Sequence, residues 1–203
     1  MGGGIIPRTA WQALPPKPTL HEQEYEVPLT EVLDYIVIHK TNLRRNLPPL
    51  DLQRRSQNSL RYPWDDIPYH YYITWDGKIY EGREMKYVGG HAGRSYESVK
   101  EKGAGNPDHI TKDPDYGSIG VALAGMIHDD IPRDYASWAQ IESLKWLIGY
   151  LRNEYPRITR DRVILHREVD KKITRKRKLT PYPDVQGRTN CPGNGISKQM
   201  EGL

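Results

Sequence analysis

Two histidines and one cysteine carry the chemistry this sequence offers. Tyr35-Ile36-Val37-Ile38 runs straight into His39, and Val163-Ile164-Leu165 runs straight into His166. Both runs have the length and branched composition of buried strands. A histidine at the end of such a strand sits where a sheet opens to solvent, a frequent place for a site in an α/β protein. Cys191, the single cysteine, follows the second run. Imidazole and thiolate are good zinc ligands. Three protein ligands leave a fourth tetrahedral position for water, the arrangement of a catalytic site. His39 and His166 are far apart in the chain, so local spacing gives no evidence of a shared metal. Read from these residues alone, a buried inert thiol and two structural histidines account for the pattern equally well.

The elements that must position these residues follow from the pattern on either side. Residues 49–60 read as a helix, with proline in its first turn and Leu50, Gln53, Gln57 and Leu60 at helical spacing. Tyr69 to Trp75, then Asp76-Gly77, then Lys78 to Glu81 make a hairpin. Ser118 to Gly125 reads as a core strand. A helix is expected over 135–155, where Ile141, Leu144, Ile148, Leu151 and Tyr155 share one face and Trp138 and Leu147 widen it. Asp134 is its expected N-cap and Pro156 its stop. Gly149 costs about 1 kcal/mol against alanine inside a helix, so packing is expected to dictate it. The order β, α, β-hairpin, β, α, β predicts an α/β fold: one domain over residues 1–203 with a central mixed β-sheet flanked by helices. Its first 30 residues form a partly irregular arm, proline-rich and at the surface from Pro15 to Pro28. Residues 94–117 have no periodicity and read as a long loop. Val88-Gly89-Gly90-His91-Ala92-Gly93 is a glycine-rich turn whose spacing does not fit a phosphate-binding loop.

Composition narrows the classes. Of 203 residues, 28% are charged and 36% hydrophobic, which suits a globular chain. The net charge of +4 and pI of about 9.0 favour approach to polyanions, among them anionic cell-wall polymers and nucleic acid, without choosing between them. No basic block interleaves with aromatics as in a nucleic-acid motif, and Lys171 to Lys178 reads as a solvated loop. One cysteine excludes an internal disulfide. No apolar run approaches a membrane span, and Met1 followed by three glycines does not resemble a secretory signal.

A series of short segments resembles a known family. Asp34-Tyr35-Ile36-Val37-Ile38-His39-Lys40-Thr41 looks like the first metal motif of the zinc-dependent type 2 N-acetylmuramoyl-L-alanine amidases, a family that includes phage lysins and the peptidoglycan recognition proteins. Arg8-Thr9-Ala10-Trp11 resembles its opening Arg-x-x-Trp. Asp66-Ile67-Pro68-Tyr69-His70-Tyr71 is similar to its next segment, and Asp76 to Arg83 follows at the family spacing. His91-Ala92-Gly93, Ser118-Ile119-Gly120-Val121 and Thr189-Asn190-Cys191-Pro192-Gly193 complete the series, in family order from residue 8 to 193. Lys40 stands where many members have a second histidine, and Pro68 replaces the usual glycine.

The resemblance implies that His39, His166 and Cys191 hold Zn2+, that Lys40 does not, and that the reaction is hydrolysis of the amide between N-acetylmuramic acid and L-alanine in peptidoglycan. Tyr69 matches the tyrosine of active members, and Thr189 a position held by Thr or Lys near the metal; both are expected to be catalytic. His91 matches a residue lining the substrate groove, and Arg83 and Arg94 are candidates to meet stem-peptide carboxylates. His70 is left out, because successive strand residues alternate in direction. His21, His109 and His128 fall in polar segments and read as exposed. The partner implied is peptidoglycan or a muropeptide, not nucleic acid, and the chain is expected to be a monomer. It is expected to act on the cell wall, in the periplasm, outside the cell, or from the cytosol after phage-type release. The alternative is a recognition module that binds muropeptides without cutting them. Non-catalytic relatives typically lack the cysteine, and this chain keeps Cys191.

Overall fold

The computed structural model describes residues 4–60, 64–92, 113–126, 135–177 and 189–200, with only the backbone of residues 21 and 22. Its centre is β1 (Tyr35–Lys40), buried from Tyr35 to His39. A strand whose two edges and two faces are all covered needs no polar side, which is why the run is continuously apolar. Two parallel neighbours flank it. β4 (Ser118–Leu123) pairs along its whole length, and β5 (Val163–Leu165) pairs with Ile36 to Ile38. β2 (Tyr71–Ile73) lies parallel to β4 and carries β3 (Ile79–Glu81) antiparallel through the Asp76-Gly77 turn. Gly77 has φ 81°, which the tight hairpin requires. The result is a five-stranded mixed sheet in the order β3-β2-β4-β1-β5, with helices on its faces.

α1 (Leu29–Val32) is a single turn ahead of β1, and α2 (Pro49–Gln57) starts on proline as expected. α2 ends at an Asn58 cap, so Leu60 lies outside it and is fully exposed. α3 (Trp138–Glu154) covers one face of the sheet, where Ile141, Leu144, Leu147 and Leu151 pack on Ile36, Ile38, Ile73, Ile119, Val121 and Leu123. Its start is a capping box. Ser137 Oγ accepts from the Gln140 N–H and Gln140 Oε1 accepts from the Ser137 N–H, each at 3.0 Å. Asp134 lies outside the described residues and the helix begins only at Trp138, so Ser137 is the cap. Trp138 is 78% exposed rather than buried, because at 100° per residue it falls on the side opposite Leu144 and Leu151. The buried polar Gln140 takes an inward place instead, donating to the carbonyls of Ile73 and Ala124 at 3.1 and 3.0 Å. Gly149 is exposed and a Cβ there meets nothing within 4 Å, so packing does not dictate it.

The other face is split between two clusters. Leu47 and Leu52 pack with Trp11, Ile67, Tyr72 and Ala122, while Tyr35, Val37 and Ile164 pack with Val169 and Ile173. Ile173 sits in a helical turn, Asp170–Thr174, so the basic run is not simply a solvated loop. Arg177, in the same run, pairs with Asp34 at 2.7 Å. The proline-rich arm also departs from a surface path. It forms a short 3-10 helix, Pro18–Gln23, that buries Leu20 completely, and Glu24 bridges to Tyr87. α4 (Asn194–Met200) closes the described chain, anchored by Ile196 in the core under α3.

Candidate metal centre

Parallel pairing brings the two strand-end histidines together. Ile38 registers against Leu165, so His39 and His166, the next residue in each segment, emerge side by side at one edge of the sheet. Their ring centroids are 4.5 Å apart. The chain turns immediately after β5 in a 3-10 segment, His166–Glu168, and Glu168 Oε2 accepts from the Leu165 N–H at 2.9 Å to hold the turn. Cys191 arrives from a separate loop and is tied to both histidine segments. The Arg167 N–H donates to its carbonyl at 2.9 Å, and the Lys40 N–H donates to its Sγ at 3.4 Å. The first bond joins the residue after His166 to the cysteine backbone, and the second joins the residue after His39 to its sulfur.

The donor atoms of His39, His166 and Cys191 all lie within 4.8 Å of one another. His39 turns Nδ1 towards Cys191 Sγ at 3.9 Å. A tetrahedral zinc with N at about 2.0 Å and S at about 2.3 Å gives an N···S edge of about 3.5 Å, so the donor set fits zinc in chemistry, and the 3.9 Å between His39 Nδ1 and Cys191 Sγ is near that edge. Burial, then the neighbouring rings of His166 and His91, holds the His39 imidazole well below its ordinary range. Burial and the His91 ring likewise push His166 down to about 4. Both rings are therefore neutral at neutral pH, the form that coordinates a metal.

The other expected site residues divide. The Tyr69 ring lies 5.2 Å from that of His39, and burial raises its phenol, which stays protonated. Thr189 Oγ1 accepts from the Cys191 N–H at 3.2 Å, a bond that uses a lone pair and leaves the hydroxyl proton able to donate. His91 does not line a groove. Its side chain has no exposure and its Nδ1 stands 3.0 Å from His39 Nε2, behind the cluster of His39, His166 and Cys191. Arg83 is not a substrate contact either. It is 1% exposed, and its guanidinium donates to the carbonyls of Ile67 and Val88 and to Gln23 Oε1. Arg94, His109 and His128 lie outside the described residues, as do the His21 side chain and most of the 94–117 loop.

His70 is set apart, though not by strand alternation. β2 is regular only from Tyr71, and the rings of both Tyr69 and His70 lie against His91, at 6.4 and 5.8 Å. What removes His70 is its bonding: Nδ1 accepts from the Gly120 N–H and Nε2 donates to the Tyr87 carbonyl, each at 3.0 Å. Sequence reasoning does not single out Asp115, yet its Oδ1 accepts from the His91 and Ala92 N–H groups at 2.8 and 2.7 Å. The available signal is Gly120. A glycine inside a core strand marks a close approach, and a Cβ there would lie 2.3 Å from the His91 ring. Arg8 and Trp11 are scaffold: Arg8 pairs with buried Asp66 at 2.9 Å, and Trp11 donates to the Glu81 carbonyl at 3.0 Å.

The family model described as N-acetylmuramoyl-L-alanine amidase matches residues 29–194. The chain belongs to this family. Peptidoglycan recognition protein 1 of Mus musculus is 27% identical over 158 residues, covering 74% of this chain and 73% of that one. Among solved structures, the Clostridium intestinale endolysin amidase LysCS superposes with a TM-score of 0.54 at 24% identity, covering 89% of this chain and 88% of its own. The Drosophila melanogaster peptidoglycan recognition protein LE, solved with tracheal cytotoxin (a monomeric diaminopimelic acid-type peptidoglycan), has a TM-score of 0.63 at 20% identity and coverages of 98% and 93%. These amidase-family neighbours share the fold of this chain.

Proposed function

We propose that this family member is a zinc-dependent hydrolase of peptidoglycan, cutting the amide between N-acetylmuramic acid and the L-alanine of the stem peptide. The observation that carries the reading is the convergence of His39, His166 and Cys191 from three separate segments onto one point. Zinc held there supplies a Lewis acid for the amide carbonyl and makes water nucleophilic near neutral pH.

The chain's own groups supply positioning and hydrogen bonds. An amide needs its developing oxyanion stabilised and its leaving amine protonated. The Tyr69 hydroxyl, protonated and beside His39, donates to the attacking water or to the oxyanion. Thr189, held next to Cys191, acts as the second oxyanion donor, weaker than a cationic lysine in that place. Neutral His39 and His166 and the sulfur of Cys191 hold their geometry through the Lys40 and Leu165 N–H bonds. Among the described residues no helix is long and apolar enough to cross a membrane. The protein works on the cell wall as a monomer, with a muropeptide or peptidoglycan strand as its partner.

The test is digestion of purified sacculi with and without a chelator, the products read by mass spectrometry. Free stem peptides beginning at L-alanine, lost on chelation and restored by zinc, are the expected result. Intact sacculi that only pull the protein down would instead favour the recognition module, the reading suggested by the name of the mouse relative. Tyr69→Phe is expected to keep stoichiometric zinc and to lose roughly a hundredfold or more in kcat, the effect of removing one oxyanion donor. Unchanged kcat in that variant would remove Tyr69 from the mechanism.

A further inference from the structure

Within the zinc reading above, the metal centre depends on a nitrogen that does not itself touch the metal. We propose that His91 is a positioning residue that fixes the tautomer of His39, accepting a hydrogen bond from His39 Nε2–H so that Nδ1 faces the metal bare.

The direction of this bond is set at the far end of the chain of rings. His91 Nε2 has two neighbours at 3.4 Å, the Ser118 carbonyl oxygen and Asp115 Oδ1. A carbonyl and a carboxylate only accept, so the hydrogen of a neutral His91 sits on Nε2. Nδ1 of His91 is therefore the acceptor, and it stands 3.0 Å from His39 Nε2. His39 must place its hydrogen there. Its other nitrogen, Nδ1, is left with a lone pair, and this is the atom that stands 3.9 Å from Cys191 Sγ. The acceptors at Ser118 and Asp115 thus decide, two rings away, which nitrogen of His39 can coordinate.

The ring that transmits this choice cannot shift. A Cβ at Gly120 would lie 2.3 Å from His91 Cδ2, and one at Gly89 would lie 2.5 Å from the same atom, so both positions are glycine because the ring fills their side-chain space. Asp115 clamps the backbone on the other side through the His91 and Ala92 N–H groups, and its own N–H donates to Asp113 Oδ1 at 2.9 Å. His70 provides the contrast 5.8 Å away, since both its nitrogens are bonded to backbone and neither is left for a ligand.

The test compares His91→Leu, which removes the acceptor at similar bulk, with His91→Asn, whose Oδ1 takes the place of Nδ1 and can accept the same bond. Zinc affinity is read by competition with a chromophoric chelator, and the His39 tautomer by long-range proton–nitrogen NMR. Wild type is expected to show His39 with its hydrogen on Nε2, zinc-free and zinc-loaded alike. His91→Leu is expected to bind zinc about 10- to 100-fold more weakly, the usual effect of losing an outer partner of a ligand. His91→Asn is expected to stay near wild type. A wild-type His39 carrying its hydrogen on Nδ1, or His91→Leu binding zinc as tightly as wild type, overturns the proposal. Should His91→Leu not fold, His91→Asn and the wild-type spectrum decide, and loss of affinity in a folded His91→Asn counts against it. Failure of wild type to bind zinc would defeat the zinc reading itself, whereas stoichiometric zinc with an indifferent His91→Leu defeats only the positioning role.

Discussion

The two faces of this sheet are made by the same strands and obey different physics. Under α3, β1 and β4 present Ile36, Ile38, Val121 and Leu123, all without exposure, and contact is the whole requirement. On the opposite face the same two strands present His39, Gly120 and Ala122 at the positions between them. There the neighbours include imidazoles and a carboxylate, and each ring nitrogen must find a partner of the right sense. The first face is specified by shape and volume, the second by hydrogen-bond direction. The first should therefore govern stability with little effect on metal, and the second metal binding with little effect on the apolar core.

Cys191→Ser tests the second half of that contrast with the largest expected effect. Bound zinc, measured by elemental analysis, and hydrolysis of sacculi should both fall to background, while the zinc-free protein unfolds at the same denaturant concentration as zinc-free wild type. Normal zinc content in Cys191→Ser would refute its assignment as a ligand. On the other face, Leu144→Ala should cost about 2–5 kcal/mol in denaturant unfolding through its cavity. The folded fraction should still bind one zinc, and a loss of stoichiometry would mean that the faces are coupled.

A pH titration sharpens the comparison further. Burial holds His70 at about 3 against an ordinary 6.5. As pH falls below 6.5 the unfolded chain takes up this proton and the folded chain does not. Its contribution to stability is thus complete above that pH and is lost towards 3, at about 1.4 kcal/mol per pH unit. Zinc-free protein should lose stability as pH falls from about 6.5 towards 3, and His70→Asn, which can still accept from the Gly120 N–H, should show a shallower slope. An equal slope would mean that His70 is protonated in the folded state. The smallest effect is expected on the exposed side of α3, where Gly149→Ala should add about 0.5–1 kcal/mol, because a methyl there meets no atom and the unfolded chain loses freedom. A decrease would show that the position is constrained after all.

Much of the fold was legible because the strands announce themselves. Continuous apolar runs bounded by turns marked β1, β4 and β5, and Asp76-Gly77 marked the hairpin. Helix ends were less so. Ser137 rather than Asp134 caps α3, and Trp138 points to solvent, because an apolar residue at helical spacing still needs something to pack against. Among the site residues, His39, His166 and Cys191 stood out in the sequence by residue type, and the structure brings their donor atoms within 4.8 Å of one another. Arg83 and His91 were misplaced because type does not reveal burial: a guanidinium with three internal acceptors and an imidazole with no exposed surface look, in sequence, like groups available to a substrate.

By itself the sequence determined which atoms are available: two imidazoles at strand ends, one thiol, a tyrosine and a threonine, and glycine at Gly120 where a side chain would be expected. Those are local properties, set by residue type and by the period of a strand. Only the tertiary structure decided which atoms meet. Parallel pairing of β1 with β5 sets His39 beside His166, a loop bond from Arg167 brings Cys191 to them, and Ser118 and Asp115 come to stand at His91 Nε2 while His91 Nδ1 stands at His39. Coordination and tautomer depend on distances between segments far apart in the chain, and such distances exist only once the chain has folded.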